Sequence, residues 1–155
     1  KEMALGEHSD DISQATPRRL SVWVNKSASD IGVSAKAGNT TANSNWIPCA
    51  GFNQATVLVT VTNASEGSGS TATNFTFGID ISNDESTAYP LQTASTSSGT
   101  ATLSTLSYSK ATGDASINFA VDFPINYKYF RINTPTLTSG AAGVSYSIEV
   151  NLGKI

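Results

Sequence analysis

The chain predicts an all-β fold, an antiparallel β-sandwich with a jelly roll as the expected form, preceded by an extended N-terminal arm. Two observations carry this. Apolar residues recur at every second position in several separate runs, such as Ile117, Phe119, Val121 and Phe123 against Ser116, Asn118, Ala120 and Asp122. A strand points successive side chains to opposite faces, so each run buries one face and wets the other, as antiparallel sheets allow. The runs also follow one another at the cadence of a sandwich, eight to nine strands with turn residues between them and no helical stripe.

Residues 1–19 differ from the rest. They carry Glu2, Glu7, Asp10 and Asp11, a Pro17 that stops any helix, and Arg18-Arg19 at the end. Two readings stand: a disordered terminus, or an arm that orders on a neighbouring subunit through Arg18 and Arg19. The domain proper is residues 20–155. Leu20, Val22 and Val24 alternate as a first strand with Trp23 on its other face. Residues 25–44 are small and polar, with a strand expected around Ile31 to Ala35. Asn45 to Pro48 reads as extended, because the residue before proline is pushed out of the helical region. Ala55 to Asn63 is a strong strand with Val57, Val59 and Val61 on one side. Residues 66–73 read as a flexible connection and Phe75 to Ser82 as the next strand. Asn83-Asp84-Glu85 is a turn, Thr87 to Leu91 a short strand broken by Pro90, and Thr93 to Thr100 a loop. Ala101 to Ser109 is read as one strand, Lys110 to Asp114 as a turn, and Ser116 to Phe123 as a strand ended by Pro124. Lys128 to Thr134 sends Phe130 and Ile132 inward and Tyr129 and Arg131 outward. Leu137 to Gly143 is read as a loop, and the last strand runs from about Val144 to Leu152.

Composition narrows the function. Of 155 residues only 14% are charged, while Ser and Thr number 41, so polarity comes from neutral hydroxyls and amides. Such groups are cheaper to desolvate than charges and suit wide, flat contacts. The net charge of −3 argues against general nucleic-acid binding, which needs Lys and Arg to displace counterions. No apolar run is long enough for a membrane helix, and Lys1 to Asp11 lacks the apolar stretch of a secretory signal.

Chemistry is sparse. His8, the only histidine, lies in the arm, where no rigid scaffold holds it as a base. Cys49 is the only cysteine and reads as a buried structural thiol, so an internal disulfide is excluded. One Cys and one His cannot make a tetrahedral zinc set, and no cofactor is expected. Asp80, Asp122 and Glu149 read as solvated strand carboxylates, and Asp80 with Asn83, Asp84 and Glu85 reads as a turn rather than a calcium site. Trp23 and Tyr129 stand opposite clear apolar stripes, which fits a subunit interface or a ligand surface equally.

Residues 55–63 (ATVLVTVTN), 75–91 (FTFGIDISNDESTAYPL), 117–134 (INFAVDFPINYKYFRINT) and 139–152 (SGAAGVSYSIEVNL) follow in this order, and together they resemble virion proteins of tailed bacteriophages. Tyr129 and Arg131 match a Tyr-Lys-Tyr-x-Arg-like element in that pattern. The resemblance implies a β-sandwich or jelly-roll capsid cement or decoration protein, with no catalytic residues to carry over. It implies a homo-oligomer, dimer or trimer, bound to major capsid protein subunits on the virion exterior and assembled in the host cytoplasm, without nucleic acid or membrane as partner. The expected interface residues are Arg18, Arg19, Trp23, Tyr129 and Arg131. A carbohydrate- or receptor-binding module of a fibre or adhesin is the first alternative, a self-assembling coat or pilus-like subunit the second and an enzyme the third.

Overall fold

A computed structural model of the chain describes residues 22–64, 72–112, 115–139 and 143–154. The expected arm, with Arg18 and Arg19, lies outside them. The described residues form an all-β, antiparallel sandwich. Its first sheet has the order β1 (Val22–Lys26), β12 (Val144–Lys154), β4 (Gln54–Asn63), β10 (Ile117–Pro124), with β2 (Lys36–Ala37) also on β12. The second has the order β3 (Ile47–Pro48), β11 (Tyr129–Ser139), β5 (Ala72–Ser82), and both β6 (Tyr89–Pro90) and β9 (Ser107–Lys110) lie along the far edge of β5. A third, two-stranded sheet pairs β7 (Gln92–Ser97) with β8 (Thr100–Thr105).

Register puts the alternating residues into one interior. Phe119 pairs with Val59 and Val59 with Ile148 in the first sheet; Ile132 pairs with Ile79 and Phe130 with Ile81 in the second. From these strands Val57, Val59, Val61, Phe75, Phe77, Ile79, Phe130, Ile132, Tyr146, Ile148, Val150 and Leu152 are all buried. The aromatic rings meet edge to face, Phe75 with Tyr146 at 5.1 Å between centroids and Phe123 with Phe130 at 5.4 Å, the geometry their quadrupoles favour. The Tyr146 hydroxyl, buried among them, sits 2.8 Å from the Pro135 carbonyl oxygen, to which it donates.

Several sequence expectations give way to tertiary structure. Residues around Ile31 form a turn, not a strand: Val33 N–H bonds the Ala28 carbonyl, so Ile31 and Val33 enter the core from a compact loop. Residues 93–97, expected as loop, are strand β7. The strand expected over 101–109 divides at Leu106 into β8 and β9. Leu137 and Thr138, also expected as loop, extend β11. A bulge between Asn133 and Thr136, with Thr134 at φ 43°, inserts one residue against β5 and shifts the inward parity, so that Leu137 is buried like Ile132. A strict period of two cannot register such a shift.

Candidate interaction surfaces

The outer face of the second sheet holds a carboxylate that alternation assigned to water. Asp80 points outward from β5 yet is 2% exposed. Its cover is the neighbouring strand. Arg131, cross-strand partner of Asp80, donates from Nε at 2.9 Å and from a terminal nitrogen at 2.8 Å to Oδ2, while the Asn133 amide donates to Oδ1 at 2.7 Å. The Trp46 ring then lies over the guanidinium, 4.5 Å from its carbon to the ring centroid. A buried charge persists only when paired and hydrogen-bonded, and here both oxygens are engaged. The layered stack is therefore a structural lock on β5 and β11. Tyr129 stands half-buried beside it, one turn of the pleat away.

Past this lock the chain turns through residues 83–87. Asp84 ties the turn together: its carboxylate accepts from the N–H groups of Ser86 and Thr87 at 2.9 and 2.8 Å and from the Ser82 hydroxyl at 2.9 Å. These donors hold its pKa well below the usual carboxylate range, the Thr87 N–H most strongly. The turn expectation stands, and the acid is spent on its own backbone.

The outer face of the first sheet is broad and mostly uncharged, with Asp122 and Glu149 as its carboxylates. Trp23 on β1 is 52% exposed and its ring lies across Gly153 on β12, where a Cβ would collide with it. The Asn25 side-chain amide donates to Asn151 Oδ1 at 2.8 Å and the Thr56 hydroxyl to Asp122 at 2.6 Å, forming cross-strand polar pairs. At one end Asn53, Gln54, Asp122, Phe123 and Pro124 line a shallow depression of about 320 Å³. Trp23 thus faces away from Tyr129 and Arg131, on the opposite side of the sandwich. Of the expected interface residues, the described ones lie on two different faces, Trp23 on the first sheet and Tyr129 and Arg131 on the second.

Of the candidate carboxylates, Asp80 lies on the outer face of the second sheet and Asp122 and Glu149 on that of the first. Cys49 is buried, its thiol directed at the Tyr127 carbonyl at 3.3 Å, and burial pushes its pKa up to about 12. Among the described residues no three His, Cys, Asp or Glu side chains gather as metal ligands.

Two features escaped the sequence reading. The first is the β7–β8 hairpin. Its turn, Ser98 and Gly99, has φ of 51° and 79°, the positive pair a type I′ turn requires. Every residue of both strands is exposed. Register places Ala94, Ala101 and Leu103 on one face and Thr93, Ser95, Ser97, Thr100, Thr102 and Ser104 on the other. The legible signal was the Ser-Gly step between alternating runs in a stretch, 86–109, without a single charge. The second is a cleft of about 280 Å³ where the sandwich gapes between β9 and β10, floored by Phe75, Phe77, Tyr108, Phe119 and Val121. Tyr108 stacks on Phe77 at 4.9 Å.

No protein-family model matches the chain, and no curated protein matches it. Among solved structures it is similar to the crystal structure of the SPBc2 prophage-derived protein YomS, at a TM-score of 0.50 and 9% sequence identity, covering 87% of this chain and 96% of that one. At that identity the likeness is one of fold, and it places this antiparallel sandwich beside one already seen in a prophage-derived protein.

Proposed function

We propose that this chain is a non-enzymatic structural protein of a phage particle, a capsid cement or decoration protein that binds across major capsid protein subunits on the virion exterior. The observation that carries the reading is the distribution of polarity: a buried two-layer interior and two outer sheet faces rich in hydroxyls and amides, with the Arg131–Asp80 pair on the second. Surfaces of that kind meet other proteins broadly and at low desolvation cost. The prophage origin of the structural neighbour supports the phage assignment. Strand order supports the jelly-roll form. With β6 and β9 counted as one interrupted strand, consecutive long strands from β3 onward alternate between sheets, except where that strand follows β5 directly. Self-association as a dimer or trimer, and docking of residues 1–19 on a neighbour, belong to the same proposal. Repetition on a symmetric shell supplies avidity, so each contact can be weak.

The carbohydrate-binding alternative asks for exposed aromatics gathered on one face. Among the described residues the exposed aromatics are Trp23 and Tyr89, on different sheets, which favours the structural reading. Mass spectrometry of purified particles tests the proposal directly: the chain is expected in stoichiometric amount, and its absence overturns the virion role. Co-sedimentation with shells tests the arm. Deleting residues 1–19 is expected to weaken binding, and undiminished binding removes the arm's part.

A further inference from the structure

The sandwich carries an unspent donor and an unfilled acceptor on the same edge. The acceptor is the cleft beside β10. That strand ends its sheet, so among the described residues nothing pairs with its outer side. Its inward residues Ile117, Phe119 and Val121 remain only half-buried, whereas their β4 partners Val61, Val59 and Val57 are fully buried. The opposing strand β9 spans four residues and cannot close the gap. The donor is the β7–β8 hairpin. A lone two-stranded ribbon is marginally stable in water, and every residue of both strands of this one is exposed. Yet one face presents Ala94, Ala101 and Leu103, with Leu103 65% exposed. Neither strand has the Lys, Pro or inward charge with which edges are ordinarily protected from pairing.

The two features are contiguous. The chain leaves the edge of β5 at Leu91, whose N–H bonds the Ile79 carbonyl at 2.9 Å. It returns at Leu106, whose N–H bonds the Leu91 carbonyl at 2.8 Å, two residues before Tyr108 in the cleft wall. The hairpin therefore roots near the rim of the cleft. We propose that the chain forms a symmetric dimer by reciprocal hairpin exchange, the Ala94–Ala101–Leu103 face of one copy covering the Phe119 cleft and pairing along the free edge of β10 in the other. The contacting face of the hairpin and the cleft lining together offer roughly 14 residues per copy, fewer than the 20–30 a side of a standard interface, so the dimer is a weak one. Both surfaces are apolar and hydroxylic, with Lys110 the one charge on the cleft lining, so the occupant that matches them is a second copy of this chain rather than a charged partner. Strand addition gives affinity through main-chain hydrogen bonds, and Leu103 gives register.

This deepens the self-association named above and rests on that part of the reading alone; shell binding is scored separately. Sedimentation velocity of the full chain across micromolar concentrations is the test, alongside hydrogen exchange of the β10 amides. The intact chain is expected to dimerise, with β10 protected as dimer forms. Leu103→Asp should weaken association by at least roughly tenfold and release β10 protection, because it places a charge in an apolar cleft. Ser104→Asp, the same charge on the hydroxyl face of the same hairpin, should leave the dimer intact. Both positions are solvent-facing, so the sandwich folds in either variant, and thermal melting verifies it. A monomer at all concentrations overturns the proposal. So does a dimer that Leu103→Asp leaves unchanged, one that both variants weaken equally, or open-ended oligomers in place of a dimer.

Discussion

The β4–β12 pair and the β7–β8 hairpin both interleave Thr or Ser with less polar residues, yet one lines the core and the other is wholly solvent-exposed. In β4 and β12 the inward set meets the inward set of a second sheet, Val59 and Ile148 joining Phe75 and Ile79 in one buried cluster. In the hairpin the same alternation sorts Leu103 and two alanines to one face, and no layer covers them. Alternation specifies that a strand has two unlike faces. It does not specify what lies opposite the apolar one.

The widest expected gap between the two regions is between two leucines. Leu137→Ala removes a fully buried side chain next to a bulge and should cost about 2 to 5 kcal/mol. Leu103→Ala should change the stability of the isolated fold by less than about 0.5 kcal/mol. Chemical denaturation of the two variants checks this, and equal losses would break the distinction between covered and uncovered strands.

A nearly equal effect is expected from a residue outside the interior. Arg131→Ala leaves the Asp80 carboxylate buried and unpaired and should cost about 3 kcal/mol. Arg131→Lys should recover only part of it, since a point charge reproduces neither the two-nitrogen contact nor the stack on Trp46. Urea titration of both variants is the measurement, with Trp emission reporting the stack. If the alanine variant is as stable as the parent, the outer face of the second sheet is no better tied than the hairpin.

The smallest effect separates two neighbouring turns. Asp84 has a depressed pKa in the folded chain, so its contribution is present at any pH above its ordinary 3.8 and is lost only as pH falls through the lower folded value. The Thr87 amide resonance should hold its native position at pH 3.8 and move below it. Asp84→Asn should abolish that movement. The Ser98–Gly99 turn has no such carboxylate, and its amides should show no step in the same range. A common acid transition in both turns would mean that the hairpin is tied to the sandwich after all.

The strands β4, β5, β10 and β12 were legible from residue order alone, because a half-buried strand must alternate and these runs do so without interruption. So was the burial of Cys49, which the structure places in the core. Tertiary structure decided the rest. The bulge at Thr134 reversed the parity that Leu137 follows, and pairing with β8 turned residues 93–97 from loop into strand. Arg131 and Trp46 brought Asp80 out of water, although its position in the alternation faces outward. In each case the deciding partner is remote in sequence. Local patterning carries the period of a strand, whereas burial is settled by whichever neighbour packs against it.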